Sequence, residues 1–156
     1  MGGKMEFKMK PIGVIHSPFK KKEEAPIQPF RSGEEGSVEV FQEYEEGLKD
    51  IEGFSRIILV YAFHKSRGFE LLVKPFLDSE RRGLFATRAP WRPNPIGISE
   101  VRLLGREGNA LRVGGIDVLD GTPLLDIKPS VPCFAAKGKG ARLGWLEAKL
   151  KGGGAD

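Results

Sequence analysis

The sequence predicts an all-β or β-dominated barrel. Three observations carry that reading. Short apolar runs recur along the chain, each closed by glycine, proline or an Asn/Asp turn. Only one internal stretch carries a clear helical stripe. No Gly-x-Gly-x-x-Gly follows a strand, which excludes a dinucleotide-binding sheet, and neither a phosphate-binding loop nor a nucleophile elbow is present. At 156 residues the expectation is one domain, with a core over about 10–132 and a C-terminal extension over 133–156.

The elements follow in order. Lys10 to His16 alternates weakly and reads as a strand, ended by Ser17-Pro18. Residues 20–33 form a polar loop broken by Pro26 and Pro29, in which Ile27 and Phe30 pack back on the body. Ser37 to Phe41 is a short strand with Val38 and Val40 on one face. Glu43 to Glu52 is the best helix, because Tyr44, Leu48 and Ile51 fall on one stripe. Glu43, Glu45 and Glu46 suit its first turn and Gly53 its C′ position. Phe54 to Phe63 is apolar nearly throughout and reads as a strand buried on both faces. His64 and Lys65 follow at its end, where scaffolds present chemistry; a structural, hydrogen-bonded histidine is the alternative.

A short strand around Leu71 to Val73 comes next, then another over Leu84 to Thr87. Ile98 to Leu104 and Ala110 to Leu119 form a hairpin around Arg106-Glu-Gly-Asn109. In its second strand Leu111 and Val113 share one parity, and Ile116 and Val118 the other. The phase slips at Gly114-Gly115, as at a β-bulge. Such glycines let a ligand approach the main chain beside Asp117, or simply turn a barrel corner. Leu124 to Ile127 is a further short strand, and Leu143 to Leu150 a short helix.

Two segments stand apart from this pattern. In Gly83 to Ser99, GLFATRAPWRPNPIGIS, Arg88 and Arg92 sit in a frame set by Pro90, Pro93 and Pro95. Each proline fixes its own φ and disfavours helix at the residue before it. A stiff basic loop holds polar groups still for a ligand; a proline-rich surface loop is the bland alternative. In Asp117 to Pro129, DVLDGTPLLDIKP, a tight Asp-Gly-Thr-Pro turn joins two apolar runs lined by three aspartates and a lysine.

Composition bounds the rest. Met1-Gly-Gly-Lys-Met5 has no apolar stretch and no run reaches membrane-spanning length, so the expectation is a cytoplasmic protein without a membrane. One cysteine, Cys133, and two histidines give neither an internal disulfide nor a zinc centre; no metal is expected. The net charge of +4 is modest but segregated. Residues 34–52 hold eight acidic groups and one lysine, whereas residues 81–114 hold seven arginines and two glutamates. Segregation of this kind is the footprint of a nucleic-acid binder, or merely of solvated faces.

GLFATRAPWRPNPIGIS and DVLDGTPLLDIKP, with Ile12-Gly-Val-Ile-His-Ser-Pro18, closely resemble the TsaA-like family over about Lys10 to Pro132. That family includes the TrmO-type tRNA adenine N6-methyltransferases. The resemblance implies a single-sheeted β-barrel with one short helix and long loops, S-adenosylmethionine as cofactor and a homodimer. It implies methylation of N6 of threonylcarbamoyladenosine beside the anticodon in tRNA. It maps the cofactor pocket onto Pro29, Phe30, Arg31, His64, Lys65, Arg88, Ile98, Gly114, Gly115, Ile116 and Asp117. Arg88 suits a carboxylate fork, Asp117 the ribose hydroxyls or amino group, and Ile98 the adenine face. Arg92, Asn94 and Lys128 are candidates for a tRNA phosphate or the threonyl carboxylate. Asp120, Asp126 and His64 are open alternatives for accepting the N6 proton, so the catalytic residue is unassigned.

The chain departs from the family at Phe30, where many relatives have glycine, and at Ser130, where many have tyrosine. It has Ala135-Ala136 where several carry a carboxylate, and the larger members' C-terminal domain is expected to be absent. A cofactor- or RNA-binding module of the same fold, without methyl transfer to tRNA, is the alternative.

Overall fold

Strand alternation decides what fills the interior of this chain. The structure, a computed structural model, describes residues 3, 5–25, 33–76, 78–134 and 140–152. Its strands are β1 (Gly13–His16), β2 (Glu35–Val40), β3 (Arg56–Ala62), β4 (Leu72–Val73), β5 (Arg82–Gly83), β6 (Ile96–Glu107), β7 (Ala110–Gly114) and β8 (Thr122–Pro129). Six of them close an antiparallel barrel in the order β1-β2-β7-β6-β3-β8, as the sequence predicts. Closure leaves no unpaired edge in that sheet.

Inward positions at period two supply the core. On β3 these are Ile57, Leu59 and Tyr61, on β7 Leu111 and Val113, and all are buried. Ile15, Val38, Val101 and Leu124 complete the packing from the other strands. Truncating Leu59 to alanine at 0% exposure would cost about 2–5 kcal/mol.

Several local expectations change. β3 is not buried on both faces: its outward residues Ile58, Val60 and Ala62 are half-buried. The expected helix over 43–52 forms instead as two 3-10 stretches, Gln42–Leu48 and Ile51–Gly53. Asp50 separates them at φ 71°, a left-handed value that stops an α-helix. Of the stripe Tyr44, Leu48 and Ile51, only Leu48 is buried. Leu84–Ala86 is a 3-10 turn rather than a strand, and the Thr87 hydroxyl donates to the Leu84 carbonyl at 2.7 Å.

The chain divides into two compact units, residues 1–66 with 94–130 and residues 67–93 with 131–156. The first holds the barrel. The second holds the β4–β5 hairpin and a short helix α1 (Leu146–Gly152), near the Leu143 to Leu150 expectation. Within this unit Asp78 pairs with Arg82 at 2.6 Å, and the Trp145 indole donates to the Ala86 carbonyl at 2.8 Å.

Candidate functional site at one end of the barrel

Antiparallel pairing gathers most of the candidate residues at one barrel end. There the C-termini of β1, β3 and β7 meet the N-termini of β2, β6 and β8. His64 and Lys65 follow β3, Asn94 precedes β6, Gly114 to Asp117 end and follow β7, and Asp120 precedes β8. Ile98 lies just inside this end on β6 and points outward, 51% exposed. Its register neighbours across the outer wall are Val60 and then Asp126. Lys128 lies farther down β8 and pairs with Asp126 at 3.0 Å.

The phase slip at Gly114-Gly115 is real and its hydrogen bonds explain it. β7 ends at Gly114, and the successive amides of Gly115 and Ile116 both donate to the Glu34 carbonyl, at 3.0 and 3.3 Å. Two residues facing one is a bulge, and Gly115 takes φ 83°, which glycine alone adopts cheaply. Opposite Gly114 the Arg102 guanidinium packs so closely that a Cβ there would stand 2.6 Å from Nη2. One flank of Gly114 is therefore covered by the protein itself. A second register shift lies in β6, between Leu103 and Gly105.

The three candidate proton acceptors have different environments. Asp120 accepts from Lys20 Nζ at 2.6 Å and from the Ser17 amide at 3.0 Å, and His16 Nδ1 lies 3.7 Å away. Lys20 above all, then the Ser17 amide, holds its carboxyl below the ordinary value. Asp126 pairs with Lys128 and accepts from the Ile127 amide at 2.9 Å. His64 is half-buried; burial, and next the Lys65 charge, push its pKa below the ordinary 6.5. Both causes favour the neutral imidazole of His64.

Sequence reasoning missed two polar side chains on the inner face at this end. Ser99 Oγ donates to Asp117 Oδ1 at 2.6 Å, and the Tyr61 hydroxyl lies 2.8 Å from Ser99 Oγ. The available signal was parity: Ser99 occupies an inward position between Gly97 and Val101.

Arg88 and Arg92 belong to the second unit. Arg88 is exposed. Arg92 braces its own loop: Nη1 donates to the carbonyls of Thr87 and Ala89, both at 3.0 Å, and its guanidinium lies 5.8 Å from the Phe85 ring centre. Pro29, Phe30, Arg31 and the Ala135-Ala136 position lie outside the described residues. Ser130 is described: its amide donates to the Arg56 carbonyl and its hydroxyl bonds Glu100.

An open groove of about 630 Å³ lies at the opposite barrel end, lined by Glu45, Glu46, Asp50, Glu52 and Arg106 among others. Its carboxylates make it a poor seat for an anion or RNA. Among the described residues no cluster of His, Cys, Asp and Glu could hold a metal ion. No described helix is long and apolar enough to cross a membrane.

Residues 14–136 match the family described as the tRNA-methyltransferase O N-terminal domain. The chain belongs to that family. A Pyrococcus abyssi relative, named a probable S-adenosyl-L-methionine-binding protein, is 59% identical over 142 residues, covering 90% of this chain and 77% of its own length. The Escherichia coli tRNA (adenine(37)-N6)-methyltransferase is 36% identical over 137 residues, covering 81% of this chain and 58% of that enzyme. The crystal structure of TrmO from Pseudomonas aeruginosa superposes with a TM-score of 0.75 at 39% identity, covering 91% of this chain. The chain spans 62% of that TrmO chain, so the matched region is only part of the larger family members.

Proposed function

We propose that this protein binds S-adenosylmethionine and transfers its methyl group to N6 of threonylcarbamoyladenosine beside the anticodon in tRNA. Family membership supports the reading, and so does the Escherichia coli relative's named activity. One structural observation carries it: a single barrel end collects Gly115 with its bulged backbone, Asp117 as an acceptor and a half-buried His64. These groups fit the cofactor's chemistry. Asp117 accepts from its amine or ribose hydroxyls, Arg88 takes its carboxylate, and the bulge at Gly115 presents backbone without a Cβ. Ile98, Lys65, Gly114 and Ile116 complete the proposed cofactor contacts, with Pro29, Phe30 and Arg31.

Bound S-adenosylmethionine supplies an electrophilic methyl group on a sulfonium. The residues' work is alignment, which in general can supply roughly 7–11 kcal/mol of a barrier. His64 takes the N6 proton on an imidazole nitrogen, while Lys20 and the Ser17 amide favour the ionised form of Asp120. Asn94, Lys128 and Asp126 contact the tRNA, with Arg92 setting the shape of the arginine loop. The protein works in the cytoplasm as a homodimer.

The test is incubation with S-adenosylmethionine and tRNA bearing the threonylcarbamoyl group, followed by nucleoside analysis. Methylated threonylcarbamoyladenosine is expected. A second reading, a binding module without transfer, draws on the Pyrococcus relative being named for binding alone. Calorimetric binding of the cofactor with no methylation of any cellular RNA would establish that reading and remove the first.

A further inference from the structure

Tyr61, Ser99 and Asp117 form a hydrogen-bonded chain whose direction follows from counting protons. Ser99 is 1% exposed and Tyr61 3%, so no bulk solvent shares their hydroxyls. A serine hydroxyl carries one proton, and Ser99 gives it to Asp117 Oδ1 at 2.6 Å. An ionised carboxylate only accepts. In the 2.8 Å contact with Ser99 Oγ, the Tyr61 hydroxyl must therefore be the donor. The chain runs one way, from a buried ring to a half-buried carboxylate at the barrel end.

The buried end of this chain is itself fixed. The Phe63 ring meets Tyr61 edge-on, with centres 5.5 Å apart at 86°. Gly97 leaves space for both rings: a Cβ there would stand 2.5 Å from Tyr61 Cε2 and 2.6 Å from Phe63 Cζ. The Tyr61 hydroxyl has little room to move, and through Ser99 neither has Asp117 Oδ1.

We infer that Ser99 and Tyr61 are positioning residues that fix the Asp117 carboxylate for the cofactor's amine or ribose donors. The inference rests on the reading above that Asp117 receives those donors. Hydroxyl donors stabilise the charged form of a carboxylate, and a chain of them polarises each member. A carboxylate already oriented need not be ordered when the ligand arrives. Neither hydroxyl touches the reacting atoms.

A purely structural pair predicts something different. Two hydroxyls that only satisfy each other in the core can be replaced together by apolar groups with little consequence. The test is therefore Ser99→Ala, Tyr61→Phe and the double variant. Two readouts are taken on the full chain. Carbon-13 NMR titration of the Asp117 carboxyl, without ligand, should move up in Ser99→Ala and in the double variant, and by less in Tyr61→Phe. Calorimetry with S-adenosylmethionine should show affinity about tenfold weaker in the same two variants, and about twofold weaker in Tyr61→Phe. In an Asp117→Asn background Ser99→Ala should add nothing. An unmoved Asp117 titration, or wild-type affinity in the folded double variant, overturns the inference even if the cofactor binds. Failure of the wild-type protein to bind S-adenosylmethionine overturns the functional reading and with it the cofactor role assigned to this chain.

Discussion

Arg92 spends one nitrogen on two carbonyls of its own loop, whereas Arg88, four residues earlier, is exposed. Lysine offers a point charge in place of a planar fork. Arg92→Lys should loosen the loop and cost about 1 kcal/mol of stability, read as a lowered melting temperature. Arg88→Lys should act mainly on binding, weakening S-adenosylmethionine about ten- to a hundredfold by calorimetry. Equal effects of both variants on affinity, with unchanged melting, would contradict this division. Sequence alone picked out both arginines but not the loop-bracing bonds of Arg92, because carbonyl acceptors three and five residues away leave no compositional trace. His64 offers a cleaner readout. Burial and Lys65 depress its pKa, so the folded state binds fewer protons than the unfolded chain. That contribution to stability is present above pH 6.5 and lost as pH falls through the folded value. In Lys65→Gln the second cause is gone, and the His64 midpoint in a proton NMR titration should rise toward 6.5 without fully reaching it. A midpoint unchanged by the substitution would assign the whole shift to burial.

At the scale of elements, the turns are held by a few polar ties. Asp120 fastens the segment after β1 to the entry of β8 through the Ser17 amide and Lys20. Its folded pKa is lowered, so the stability it adds is present above its ordinary value and lost as pH falls through the folded one. Asp120→Asn should therefore lower the melting temperature at pH 7, with the difference from wild type shrinking toward pH 3. Gly115 at φ 83° is the other tie. Gly115→Ala should cost about 1–2 kcal/mol from left-handed strain alone, and should weaken the cofactor further if the bulge is displaced. The barrel strands were legible because period two survives in short runs such as Ile57, Leu59, Tyr61. The 3-10 stretches were not. The stripe Tyr44, Leu48, Ile51 fits an α-helix, yet only Leu48 is buried, Ile51 packs half-buried against the core, and Asp50 turns left-handed between these two. Ser99 was illegible as a site residue for a related reason: its partners come from β3 and the segment after β7, and only the closed register brings them together.

The whole molecule carries more exposed apolar surface than its core requires. In the second unit Phe69, Leu71, Leu72, Phe76 and Phe85 are all at least 51% exposed. In the first unit the alternating Met5, Phe7 and Met9 are exposed at 60% or more. Scattered single hydrophobes are ordinary, but runs of this kind in a small protein mark contact with another molecule. A second copy of the chain is the proposed partner, since symmetric dimers are the commonest assembly. Burying side chains of this size contributes about 1.5–3 kcal/mol each when complete. A handful per protomer is then of the same order as the ~4–15 kcal/mol of freedom lost on association. Light scattering at micromolar protein should give about twice the 17.2 kDa chain mass. Phe69→Asp with Leu72→Asp should shift that mass to the single chain, because both side chains are more than half exposed and their loss leaves the core intact. A wild-type mass of one chain across the micromolar range would remove the dimer. Salt gives a second check: apolar dimer contacts hold or strengthen as ionic strength rises.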